Sequence, residues 1–270
     1  MVTLKSAREI ETMRRSGKIT ATVLAELMQI AKAGMTTREL DEIAERGIRE
    51  RGGIPTFKGY HGFPATICAS VNDEVVHGIP SDYVLQDGDL LSIDIGTTLD
   101  GYVSDSAVTI PVGTISRDAQ RLLDVTRESL MIGIAQMQSG NHVGDIGAAV
   151  QRFAEDHGYG VVRELAGHGV GTAMHEEPQV PNYGKPGTGV ELRPGLVLAV
   201  EPMITQGDRK VEILKDGWTV VTADGKLAAH FEHTIAVTED GPKILTLRTY
   251  GEHPDAAKYV PDAEKKVQAR

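Results

Sequence analysis

Cysteine is nearly absent from this 270-residue chain: Cys68 stands alone, so no internal disulfide can form and a reducing compartment is implied. Cations are outnumbered, with 28 Lys and Arg against 38 Asp and Glu, and a net charge of −10 argues against a broad basic face for nucleic acid. No stretch approaches the roughly 18 consecutive apolar residues of a membrane span. Residues 1–19 read as amphipathic rather than as the apolar block of a signal peptide. We therefore expect a cytoplasmic protein with no membrane contact. Aromatics make up only 4% of the chain while glycines number 30, which predicts an aliphatic core with many tight turns. The length suffices for one large core without staples. The expected organisation is a single domain over 1–250 and a polar, proline-interrupted tail over 251–270.

Apolar residues recur at three- and four-residue steps from Ser6 onward, including Ile10, Met13, Val23 and Leu27. They predict one helix closed by Gly34 and a second from Thr37 to Gly52-Gly53. The next segment, to Pro80, reads as a loop, a strand over 65–71 and a turn at Asn72-Asp73. A strand pair follows from Leu90 and from Val103, joined at Asp100-Gly101. Helices are then expected from Ser116 to about Ser139 and from Val143 to about His157, with strands and Gly/Pro-rich loops over 161–248.

One device occurs twice. A Leu-x-x-Gly turn at 85–88 leads through a strand to Asp94, and another at 192–195 leads through a strand to Glu201. Each is followed by a return strand with a second acid, Asp105 and Glu232. A duplicated half-domain would set the four acids around a shared axis. Each sits in an apolar, β-prone run, where an unpaired carboxylate is costly. Four carboxylates cannot all share protons cheaply, whereas two divalent cations match their charge and suit hydrolysis.

Among nine histidines, His168 and His175 lie in a glycine-rich stretch that lets an ion or substrate approach the backbone, and His77 sits at a strand-to-turn junction. His142, His157, His230 and His253 read as solvated, His233 as facing away from Glu232, and His61 is evenly balanced between a site and a loop role. Residues 94–98 also resemble the signature of aspartic proteases and the phosphate loop of actin-like kinases. Neither motif has its second copy, and neither accounts for His168 or Glu201. The stretch 167–174 lacks the Gly-Lys-Ser/Thr ending of a nucleotide loop.

The order Asp94, Asp105, His168, Glu201, Glu232, with SIDIG, DSA, GHGVG, VEP and FEHT around these residues, closely resembles the type I methionine aminopeptidases over residues 4–248. That order is shared with the wider group of pita-bread peptidases, including prolidases. The segment 60–80 and the 33-residue step from His168 to Glu201 favour type I. The resemblance implies an α+β pita-bread fold, with pseudo-twofold αβ halves around a dinuclear metal centre of Co, Mn, Fe or Zn.

Asp94 is implied to chelate one metal and His168 the other, with Asp105 and Glu232 bridging and Glu201 acting as both ligand and general base. His77 and His175 are implied to contact the peptide and stabilise the tetrahedral intermediate. Tyr60, Phe63, Cys68 and Trp218 are implied to line the methionine pocket, since a thioether packs well against aromatic rings. The implied reaction is attack of a dimetal-bound water on the first peptide bond, removing the initiator methionine from nascent chains whose second residue is small. A monomer with transient ribosome association and no direct nucleic-acid recognition is expected. An Xaa-Pro peptidase of the same fold and a non-catalytic binding module are the alternatives.

Overall fold

Ser6 and Thr36 open the first two helices with the same chemistry. Each hydroxyl accepts from the backbone three residues on, and Glu9 or Glu39 reaches back to the cap amide. These helices are α1 (Ala7–Ile30) and α2 (Thr37–Glu50) in a computed structural model that describes residues 2–248. The expected tail, with His253, lies outside the described residues. Helix α1 ends at Ile30, short of Gly34, because Ala31 is already extended; Gly34, at φ 91°, makes the turn and donates to the Leu85 carbonyl.

The apolar face of α1 packs on a long hairpin of β4 (Leu90–Leu99) and β5 (Tyr102–Pro111), turned by Asp100 and Gly101, both at positive φ. Ser16 and Thr20 of α1 add buried hydroxyl bonds to Ser104 at 2.9 and 2.8 Å. Ahead of this hairpin come β1 (Ile54–Pro55), β2 (Ile67–Val71) and β3 (Glu74–Val76); β2 and β1 pair in tandem along the edge of β4 that β5 leaves open, and Asn72 at φ 59° turns β2 into β3. The sequence reading had placed the turn but not β3, a three-residue strand too short to show a period.

The second half begins like the first, with α3 (Arg117–Ala135), capped by Ser116, and α4 (Val143–Asp156). Ten short strands follow: β6 (Gly160–Val161), β7 (Gly167–Gly169), β8 (Glu176–Val180), β9 (Val197–Val200), β10 (Met203–Thr205), β11 (Val211–Ile213), β12 (Val220–Thr222), β13 (Ala228–His230), β14 (His233–Thr238) and β15 (Gly241–Ile244). Five form a sheet in the order β15-β14-β9-β7-β8. Two three-stranded sheets complete the fold, β13-β10-β6 and β11-β12-β3, the latter borrowing a strand from the first half.

The result is the α+β pita-bread arrangement, with two halves, each a helix pair and a pair of antiparallel strands, meeting where β5 docks on β14. At that seam the Glu232 amide donates to the Ala107 carbonyl at 2.9 Å, and Ser106 Oγ donates to the Glu232 carbonyl at 2.8 Å. No helix among the described residues is long and apolar enough to cross a membrane.

Candidate metal centre

Strand register puts the acids together. In the first hairpin Asp94 lies opposite Ala107, two residues from Asp105, so both carboxylates leave the same face. In the second half β9 pairs with β14, far apart in sequence: His233 lies opposite Val200, and one step further sets Glu232 opposite Glu201. His168 pairs with Ala199, two residues before Glu201, so its ring shares that face. Asp105, His168 and Glu232 bring one ligand atom each to within 4.8 Å of one another, and all three are buried. His168 Nε2 stands 3.7 Å from Asp105 Oδ2 and 3.6 Å from Glu201 Oε1.

Burial and mutual repulsion make this cluster electrostatically expensive. Asp105 is pushed up to about 8 by burial and then by the Glu201 charge, and Glu201 to about 7 by burial, with His168 opposing. Asp94 and Glu232 are driven well above the usual carboxylate range by burial and then by Asp105. Asp94 Oδ1, Asp105 Oδ1 and Glu232 Oε1 are buried with no hydrogen-bond partner among the described residues. Orphaned oxygens beside an imidazole are what a divalent cation would satisfy, and oxygen with imidazole nitrogen suits Mn, Fe, Co or Zn. The His168 ring is set for this role: Nδ1–H donates to the Gly169 carbonyl at 2.8 Å, leaving the Nε2 lone pair facing the acids.

The glycines around His168 serve packing, not ligand approach as their sequence context had suggested. A Cβ at Gly167 would strike the Ala199 carbonyl oxygen, and one at Gly169 the Glu177 carbonyl oxygen.

Beside the acids opens a cavity of about 210 Å³, whose wall includes all eleven residues singled out from the sequence: Tyr60, Phe63, Cys68, His77, Asp94, Asp105, His168, His175, Glu201, Trp218 and Glu232. Phe63 and Trp218 meet edge to face, with centroids 5.1 Å apart. Asp216 holds the Trp218 turn by accepting from the amides of Trp218 and Thr219. Cys68 is at once core and wall; burial, then the charge of Asp94, raises its thiol well above its usual range, so it stays protonated.

His77, at φ 61° just after β3, is lowered to about 4 by burial and then by His230; His175 is lowered to about 4 by desolvation and then by His168. Both are therefore neutral near pH 7. The Tyr60 hydroxyl lies 2.8 Å from His175 Nδ1; donating there, it leaves the imidazole proton on Nε2.

Phe57, His61 and Met174 also line the cavity and were not assigned to it from sequence, His61 having been left undecided. They come from loops whose course is set by tertiary packing, and loops carry no periodic signal. His230 corrects the sequence reading outright. It is 1% exposed, not solvated, and its Nε2 lies 3.6 Å from Glu201 Oε2. His233 does turn away from Glu232 and bonds Thr246 Oγ1 at 2.9 Å.

The family model described as metallopeptidase family M24 matches residues 11–239. Methionine aminopeptidase 1 of Bacillus subtilis is 54% identical over 246 residues, spanning 91% of this chain and 99% of its own length. The crystal structure of methionine aminopeptidase from Thermotoga maritima superposes with a TM-score of 0.90 at 43% identity, covering 91% of this chain and 99% of that one. The prolidase from Pyrococcus furiosus superposes with a TM-score of 0.75 at 23% identity over 90% of this chain and 65% of its own, a likeness of fold alone.

Proposed function

The chain belongs to metallopeptidase family M24, and from that membership, together with the buried four-acid cluster, we infer how it removes the N-terminal methionine from polypeptides. It is a metal-dependent aminopeptidase, a hydrolase. The observation that carries the site reading is the convergence of Asp94, Asp105, Glu201 and Glu232 with His168 on one cavity, three of their buried oxygens having no partner among the described residues.

Asp94, Asp105, His168, Glu201 and Glu232 would hold two divalent cations, with Asp105 and Glu232 serving both. Cations held there would supply Lewis acidity, polarising the scissile carbonyl and making water a competent nucleophile near neutral pH. Glu201, facing the cavity beside His168, takes the proton of the attacking water and delivers it to the leaving amine. His175 presents Nε2–H, and His77 a neutral imidazole, to the charge that develops on the carbonyl oxygen. The methionine side chain packs among Tyr60, Phe63, Cys68 and Trp218. A cavity of about 210 Å³ admits one such side chain and favours a small second residue.

The substrate is the N-terminus of a nascent chain. This places the work in the cytoplasm, in transient association with the ribosome, which a single buried thiol suits. We take the working form to be a monomer, since all the proposed ligands come from one chain. Mn, Fe, Co and Zn all suit the donor set.

Chelator-treated protein, reloaded with each metal in turn, should release methionine from Met-Ala-Ser and nothing from Ala-Pro-Ser. Cleavage of the proline peptide would reassign the activity, and silence on both with metal bound would refute catalysis.

A further inference from the structure

His230 is buried at the end of β13, and both its ring nitrogens lack a hydrogen-bond partner among the described residues. An unsatisfied buried polar group is destabilising, so a histidine in this position calls for an explanation. The Glu201 carboxylate lies between two imidazoles: His168 Nε2 is 3.6 Å from Oε1, and His230 Nε2 is 3.6 Å from Oε2. The two rings are not equivalent. His168 has its Nδ1 engaged with a carbonyl and offers Nε2 as a lone pair, whereas His230 has no carbonyl on either nitrogen.

The backbones on both sides of the gap are fixed. Thr109 Oγ1 accepts from the His230 amide and donates to the His230 carbonyl, both at 2.8 Å, and Asn182 Nδ2 donates to the Glu201 carbonyl at 2.9 Å. Less than about 1 Å of side-chain movement therefore separates the present spacing from a hydrogen bond.

We propose that His230 is a positioning residue for Glu201: its Nε2–H donates to Oε2 and turns Oε1 toward His168 and the bridging acids. The proposal rests on the reading of Glu201 as ligand and base, and it extends that reading. A carboxylate with both roles must present one oxygen to the cation and keep the other for the proton. A donor on Oε2 fixes which is which. The donor is withdrawn from solvent, so water cannot replace it. Outer donors to ligating carboxylates are worth about 10- to 100-fold in metal affinity or activity.

The test compares His230→Leu and His230→Gln with wild type, by calorimetric titration with Mn and by steady-state release of methionine from Met-Ala-Ser. Leucine fills the volume without a donor; glutamine carries an amide N–H at similar reach. The expected result for His230→Leu is a kcat about 10- to 100-fold lower, weaker Mn binding at unchanged stoichiometry, and KM within about threefold. His230→Gln should recover most of that loss.

Wild-type kcat and Mn affinity in His230→Leu would overturn the proposal. So would equal impairment in the two variants, which would make the ring's shape the cause. Loss of one bound Mn in both would make His230 a ligand and also overturn it. Wild type that binds Mn yet releases no methionine would strike the peptidase reading instead, and the Mn affinities would still test His230.

Discussion

Lys5 Nζ and Glu176 Oε2 form an ion pair of 2.6 Å across 171 residues of sequence, with side-chain exposures of 3% and 15%. Glu176 follows His175 directly, and its other oxygen accepts from the Thr172 and Ala173 amides at 2.9 and 3.3 Å. The Lys5 amide in turn donates to the Gly195 carbonyl at 2.7 Å, in the turn that feeds the Glu201 strand. The N-terminal segment thus clamps the loop carrying Met174 and His175. Lys5→Met should cost about 1–2 kcal/mol of stability, because it leaves a half-buried carboxylate without its cation, and should lower kcat. Chemical denaturation and kinetics on that variant check this, and Lys5→Arg should restore most of both.

Asp105→Asn should separate stability from function. It removes a charge from a crowded, buried set of acids, so the metal-free variant should be about 1–3 kcal/mol more stable than metal-free wild type at pH 8. The same change should lower activity at least about 100-fold and reduce metal content. Thermal unfolding in chelator and elemental analysis measure the two effects, and a destabilised metal-free variant would contradict the repulsion argument.

The metal-free protein should lose stability as pH rises from about 6.5 to 8. Asp105 and Glu201 hold protons in the folded state up to about 8 and 7, whereas unfolded carboxylates release theirs near 4. In that window the folded state binds more protons, so stability falls with pH, by about 1–3 kcal/mol. His77 and His175, lowered to about 4, act in the opposite direction, an effect that fades as unfolded imidazoles lose their protons through 6.5. Denaturation midpoints at pH 6.5, 7.2 and 8 would show the trend, and Mn loading should abolish it.

His175→Ala should reduce kcat about 100- to 1,000-fold with metal content retained, since it removes a donor aimed at developing charge. Tyr60→Phe should act in the same direction but less, because it frees the His175 ring to exchange tautomers without removing it. A Tyr60→Phe loss as large as that of His175→Ala would give the hydroxyl its own contact with substrate.

Trp218→Ala should raise KM about 10- to 100-fold for methionyl peptides and change kcat less, as one wall of the side-chain pocket is lost. Norleucine peptides, with the same shape but no sulfur, should lose a similar factor if packing dominates.

The acids were legible in the sequence because each lies where polarity contradicts its surroundings. Asp94 and Glu201 interrupt apolar strands after matched turns, and Asp105 and Glu232 begin the return. His230 carried no such contrast. Its strand is three residues long, two alanines precede it, and only the pairing of Met203 with His230 and the pivot through Phe231 carry it inward. The cavity residues Phe57, His61 and Met174 were hidden for a related reason, since their positions depend on loops pinned by distant partners such as Lys5. Helix starts were readable from Ser6 and Ser116. The end of α1 was not, because the chain leaves helical geometry before the glycine that completes the turn.

The seam between β5 and β14 has one more consequence. Two of the acids lie on the β4–β5 hairpin and two at the ends of the paired strands β9 and β14, so each half carries only one pair. The cavity wall is likewise shared: the first half contributes Phe63, Cys68 and His77, the second Trp218, His168 and His175. A chain cleaved in the connection between Pro111 and Ser116 would yield two fragments with complementary deficits of charge compensation. Their reunion and the capture of cations would be a single event, so metal concentration would be read out as assembly.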